Sequence, residues 1–316
     1  MSEAEGTQKR TTRLALLAAA FVGLQVGAAT VASRYALLET DPLSLAFWRY
    51  LIGALSLLPF VLWTRSLPRF ALKDVLPVAV LGIVQFAVLV ALLNVSLLYI
   101  SSGRAALVFS AFPLLTMLLA AILGRERMTV RKSLGVVITM IGVGVAIGSK
   151  AAGESEGFLG EAIALGAAFC GAVCSVLYRP YLERYPALGV SGFAMLASVI
   201  FLAVAAFVRG GLVNIVGLPF PIVMAVIFIG LSSGIAYFVL LWALKHSTPT
   251  RVTMFQALAP LTATGLGIAM LGEMVTPNFL AGLFIVVLGL VVALWSRSPR
   301  AAPASVPDQP PAGGNQ

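Results

Sequence analysis

Apolar residues run along this chain in long blocks rather than at the period of a half-buried helix or strand. Ten such blocks, each of eighteen residues or more, cover about 13–33, 43–63, 75–98, 104–123, 132–149, 158–178, 189–208, 221–244, 250–271 and 277–296. Each is long enough to cross roughly 30 Å of hydrocarbon, so the pattern predicts ten membrane-spanning helices joined by short loops. The first block follows Lys9, Arg10 and Arg13 and lacks a small-residue cleavage site, so it reads as a retained helix and not a signal peptide. Residues 1–12 and the Pro/Ala/Gly-rich 297–316 have the composition of short disordered tails.

Composition agrees with the pattern. Sixty percent of the residues are hydrophobic and 10% charged, a balance no soluble domain of this size can cover with polar surface. The net charge of +9 raises the question of a nucleic-acid partner, but the basic residues lie at span ends. With the N-terminus cytoplasmic, sixteen of them fall inside and Arg34, Arg104, Lys150 and Arg209 fall outside. That bias predicts a multi-pass protein with both termini cytoplasmic and no nucleic acid bound.

The chain also repeats itself. FPLLTMLLAAILGRERMT at 112–129 returns as APLTATGLGIAMLGEMVT at 259–276. At the same offset Arg104 matches Arg251, Pro113 matches Pro260, Glu126 matches Glu273, Gly135 matches Gly282 and Gly142 matches Gly289. One helical hairpin is written twice, in halves covering 13–149 and 158–296. Five spans per half is an odd number, so the second half enters the membrane upside down. Inverted repeats of this kind predict a secondary transporter with its substrate site near the midplane between the halves.

Four stretches now carry a resemblance: AFWRYLIGAL at 46–55, the Pro-centred fourth span, GRERMTVRKSLGVVITMIGVGV at 124–145 and its echo LGEMVTPNFLAGLFIVVLGLVV at 271–292. They resemble the EamA branch of the drug/metabolite transporter superfamily over nearly the whole chain between the tails. The resemblance implies an all-α integral membrane fold of ten helices in two inverted repeats, placed in the inner (plasma) membrane of a bacterial cell. Members move amino acids, metabolites, nucleotide-linked sugars or toxic cations. Within the branch the chain is most similar to exporters of aromatic and other amino acids.

Polar groups inside hydrocarbon are expensive, so mid-span ones are the candidates for a pathway. They are Gln25, Gln85, Asn94, Ser232, Ser233, Tyr237 and Gln256, all neutral, and Arg49. Phe86, Tyr99, Phe109, Phe112, Trp242 and Phe255 lie among them. Amides, hydroxyls and aromatic faces suit a zwitterion with an apolar side chain better than a phosphate or a bare cation. Each glutamine has a second reading, as a tie to a neighbouring helix contributing roughly 0.6–2 kcal/mol. Gly23 and Gly27 flank Gln25 in a GxxxG spacing that fits close approach at a repeat interface. Arg49 either holds a substrate carboxylate or, like the family's framework arginine, is structural, snorkelling outward or bonding loop carbonyls. Glu126 and Glu273, at equivalent ends of the repeated hairpins, read as structural. Pro113 and Pro260 are expected to kink the interiors of their helices toward the central cavity, with a gating role or with a part in helix packing alone.

Other chemistry is excluded by context. GLSSG at 230–234 fits a nucleophile elbow in spelling only: it lies mid-span, and His246 is the one histidine. GVGVAIG at 142–148 follows no strand, and Cys170 and Cys174 lack metal-binding partners. No enzyme activity and no cofactor are expected, and no ATP-binding loop is present. Asp41, Asp74, Glu126, Glu161 and Glu273 lie at or near span ends, which favours facilitated export or exchange over obligate proton antiport, with Glu161 the point to watch. The substrate expectation is a neutral amino acid, aromatic or apolar; the rival is a multidrug exporter of quaternary cations such as methyl viologen. A monomer is expected to suffice, although Gly282, Gly289 and Ala293 form a small-residue ridge suited to a dimer.

Overall fold

The computed structural model describes residues 2–63, 70–125, 129–147, 158–248, 251–252 and 255–294. Its α-helices are α1 (Ser2–Ala36), α2 (Pro42–Trp63), α3 (Leu72–Gly82), α4 (Leu89–Ser96), α5 (Ser102–Phe109), α6 (Phe112–Ile122) and α7 (Val130–Ile147) in the first half. The second half holds α8 (Leu159–Leu177), α9 (Arg179–Arg184), α10 (Ala187–Val208), α11 (Phe220–His246), α12 (Ala259–Leu271) and α13 (Pro277–Leu294). A π-helical turn, Ile83–Val88, joins α3 to α4, and a 3₁₀ turn, Phe255–Leu258, precedes α12. Among the described residues there is no strand, as expected where each backbone amide must be satisfied within its own segment. Seven helical stretches are long and apolar enough to span a membrane, and the shorter apolar helices Ser133–Ala146, Ala259–Leu271 and Pro277–Gly289 complete ten. The fold is all-α and membrane-embedded, ten spans in two inverted halves of five.

Packing follows the inversion. Helix α1 packs on α12 and α8 on α6; α2 packs on α11 and α10 on α3; α7 packs on α13. Exchanging the halves maps each contact onto another of the same set, as a pseudo-two-fold axis requires. Small residues set the approaches. A Cβ added at Gly142 would lie 2.7 Å from the Val286 nitrogen and 2.8 Å from the Gly282 oxygen, and one at Gly282 would lie 2.6 Å from the Gly142 oxygen. The expected dimer ridge is therefore corrected: Gly282 and Gly289 are buried against α7 of their own chain, where a Cβ on Gly289 would strike Thr139. The side chain of Ala293 lies outside the described residues. Gly23 and Gly27 close on Phe255, Leu258, Ala259 and Thr262, so the GxxxG of α1 serves the interface between halves.

The repeated prolines stand just after interruptions of their spans. The fourth span breaks at Ser110–Ala111, and Pro113 stands in the first turn of α6; Pro260 stands in the first turn of α12, after the 3₁₀ turn. A first-turn amide has no intrahelical partner, so proline is accommodated there without a lost hydrogen bond. The N-terminal tail, expected to be disordered, is helical, because α1 runs from Ser2. Residues 2–12 include Glu3, Ala4, Glu5, Gln8, Lys9 and Arg10, good helix formers that extend a helix which the first span already nucleates. The repeated hairpins end alike: Gly124 (φ 65°) and Gly272 (φ 63°) adopt the left-handed conformation that stops α6 and α12.

Candidate functional site

Helix α11 organises the space between the halves, and GLSSG is its centre. Gly230 and Gly234 leave room for α2: a Cβ on Gly234 would lie 2.6 Å from Ser56 Oγ and 2.7 Å from the Gly53 oxygen. The two serines between them accept donors from the first half. Gln25 Nε2 donates to Ser232 Oγ at 2.9 Å, and Arg49 Nε donates to Ser233 Oγ at 2.8 Å. One turn further, Gln85 Nε2 donates to the Tyr237 hydroxyl. Gln85 sits in the π-helical turn, whose wider winding shifts its side chain relative to a regular helix; such turns are rare and concentrate at functional sites.

These residues enclose a contracted cavity of about 60 Å³. Gln25, Thr30, Arg49, Tyr50, Gln85, Ser233 and Tyr237 supply its polar lining; Phe109, Phe112, Leu89, Leu93 and Leu240 are among its apolar residues. Phe109 and Phe112 stack with centroids 5.4 Å apart across the break in the fourth span, so that break places both rings at the cavity. No carboxylate belongs to this wall among the described residues.

The sequence-predicted residues divide accordingly. Gln25, Arg49, Gln85, Phe112, Ser233 and Tyr237 meet at the cavity, and Ser232 stands behind Gln25. Arg49 neither snorkels nor reaches a loop carbonyl; it turns to Ser233. Phe86 is fully buried in core, against Tyr50 and Tyr237 at centroid distances of 4.9 and 4.1 Å. Asn94 is a tie to the start of α2, donating to the Pro42 carbonyl at 3.0 Å. Trp242 packs on His246 at 4.5 Å, away from the wall. Glu126 and the side chain of Gln256 lie outside the described residues. Sequence reasoning passed over Tyr50, which is wholly buried and lines the cavity. The signal was available, since a tyrosine mid-span beside an arginine is itself a polar group in hydrocarbon.

A second recess, of about 340 Å³, opens at the end of the bundle where Arg34 lies, with Tyr99, Arg104 and Glu273 on its wall. Two ion pairs join the halves there: Arg34 Nε to Glu273 at 3.2 Å and Arg104 Nε to Glu161 at 2.9 Å. Glu273 also accepts from Ser102 N (2.9 Å) and Ser102 Oγ (2.7 Å), placing a carboxylate at the N-terminus of α5, where the helix dipole favours it. At the opposite end, Asp74 accepts from the Tyr185 hydroxyl at 2.8 Å and from Arg184 at 3.2 Å.

Comparison with known proteins places this architecture. An uncharacterized transporter of Archaeoglobus fulgidus is 26% identical over 276 residues, 86% of this chain and 95% of its own. The uncharacterized transporter YyaM of Bacillus subtilis is 26% identical over 275 residues, 84% of this chain and 89% of its own. A solved crystal structure at 22% identity shares the fold, with a TM-score of 0.66 over 91% of this chain and 97% of that one. The profile of the EamA-like transporter family matches twice, at residues 13–148 and again at 158–295, and the chain belongs to that family of membrane transporters.

Proposed function

We propose that this chain exports neutral amino acids, aromatic and apolar ones foremost, by alternating access between two halves bounded at 13–149 and 158–296. The observation that carries the reading is the cavity wall. Neutral hydrogen-bonding groups (Gln25, Gln85, Ser233, Tyr237) and Arg49 share it with the stacked Phe109 and Phe112, with no carboxylate among the described wall residues. Amides and hydroxyls match an ammonium and a carboxylate, and aromatic faces match an apolar side chain. An organic cation in low dielectric requires an anionic partner, which this wall does not offer, so the quaternary-cation reading is disfavoured.

The same wall favours facilitated diffusion or exchange. Glu161, the acid closest to a coupling role in the sequence, is buried in its pair with Arg104 and stands off the cavity. Transport is assigned to a single chain in a bacterial plasma membrane with both termini cytoplasmic, on the strength of the basic residues at span ends and of bacterial relatives such as YyaM. The test is uptake of labelled phenylalanine, threonine, methionine and methyl viologen into proteoliposomes, with and without a proton gradient. Protein-dependent amino-acid uptake without the gradient is expected. Uptake confined to methyl viologen, or strictly dependent on the gradient, overturns the reading.

A further inference from the structure

A guanidinium inside a membrane protein normally meets an acid, because an unpaired charge in low dielectric is costly. Arg34, Arg104 and Arg184 obey this, paired with Glu273, Glu161 and Asp74. Arg49 does not. It is half-buried in α2, its Nε donates to Ser233 Oγ, and its guanidinium carbon lies 5.5 Å from the Tyr50 ring centre. No carboxylate pairs with it among the described residues, and neither Nη1 nor Nη2 has an acceptor there.

A second, independent observation lies beside it. Tyr50 lines the same cavity, and its hydroxyl is buried and has no hydrogen-bond partner among the described residues. A buried hydroxyl left unsatisfied is destabilising, and tyrosine usually finds a partner when buried. Two unused donor groups, one of them carrying the positive charge, therefore converge on one small space.

We infer that Arg49 and Tyr50 form an anion subsite that receives the carboxylate of the transported molecule; the assignment rests on the amino-acid reading above. Ser233 fixes the guanidinium by its Nε, leaving the Nη1–Nη2 edge to take both carboxylate oxygens, the bidentate geometry for which arginine is suited. Tyr50 supplies a further donor to the same group. The substrate must then carry a negative charge, and an amino-acid amide, the same molecule without it, is a poor substrate.

Competition against labelled phenylalanine uptake in proteoliposomes tests this on the wild-type protein first. Phenylalaninamide is expected to compete about thirty-fold less well than phenylalanine. In Arg49→Gln that ratio is expected to collapse toward one, through weaker binding of phenylalanine with little change for the amide. Tyr50→Phe, which removes one oxygen, is expected to shrink the ratio several-fold. The melting temperature of each variant separates recognition from folding, and the ratio is independent of how much protein is active. Equal competition by the amide in wild type, or an unchanged ratio in a well-folded Arg49→Gln, overturns the subsite while amino-acid transport stands. Uptake of methyl viologen alone overturns the amino-acid reading and the subsite with it.

Discussion

Removing the Glu273 carboxylate is expected to loosen the end of the bundle at which Arg34 lies. The side chain is only 10% exposed and joins three segments: Arg34 at the end of α1, Ser102 at the start of α5, and its own loop between α12 and α13. Hydrogen bonds to a charged group contribute about 1.5–3 kcal/mol each, whereas the Arg34 pair is discounted because that side chain is 35% exposed. On this reckoning Glu273→Ala costs about 3–6 kcal/mol. Glu273→Gln, which keeps an acceptor for one bond but offers the helix dipole no charge, costs about half as much. Gly267→Ala gives an independent route to the same loss, since its Cβ would lie 2.5 Å from Glu273 Oε2. The assay is melting in detergent followed with a thiol-reactive dye, for which fully buried Cys174 is a built-in probe. At roughly 2–4 °C per kcal/mol, Glu273→Ala is expected to fall by about 5 °C or more. A fall below about 1 °C, no larger than that of the exposed Glu39→Ala, refutes the clamp.

The other end makes a sharper ranking: Asp74 is buried, but Arg184 is 56% exposed, so Tyr185→Phe is expected to lower the melting temperature more than Arg184→Gln, and the reverse order counts against the assignment. At the contact of α7 with α13, Gly142→Ala and Gly282→Ala meet backbone atoms that cannot yield and are expected to destabilise by about 1–3 kcal/mol. Gly144→Ala, with nothing within 4 Å of its Cβ, is expected to be neutral or stabilising; equal losses at all three positions in the same melts would remove the close-packing argument. Gln25→Leu deletes the bond to Ser232 and is expected to cost about 0.6–2 kcal/mol in stability while reducing phenylalanine uptake severalfold; a stability loss with unchanged uptake would make Gln25 a packing residue alone.

What the sequence made legible was whatever a repeat or a block length encodes. The ten spans and the GxxxG of α1 rest on spacing within one segment, the matched prolines on the offset between the halves, and spacing is visible in one dimension. The exact form of the break before Pro113 was not legible: Ser110 and Ala111 part α5 from α6, and Phe112 stands between them and the proline. The π-helical turn at Gln85 has no residue signature either; next to it Gly82 packs closely on Ala194 of α10, a contact between distant segments. Nor was the partner of Arg49, since the register that brings Ser233 to it comes from glycines on two helices meeting face to face.

The repeat explains the skeleton but not the chemistry of the cavity. Prolines, glycines and glutamates recur at the repeat offset, whereas Gln25, Arg49 and Tyr50 stand opposite Ala172, Leu196 and Ala197. The donors Gln25, Arg49 and Gln85 come from the first half, and Ser232, Ser233 and Tyr237, which accept from them, come from one helix of the second. A symmetric scaffold can open to either side by the same motion, because its contacts exchange under the pseudo-two-fold axis. A symmetric cavity, however, would hold a molecule equally well in two opposed orientations. On the proposed amino-acid reading, a cation on α2 and stacked rings across the break in the fourth span would tell a charged head from an apolar tail, and one orientation of the molecule is then expected whichever side is open.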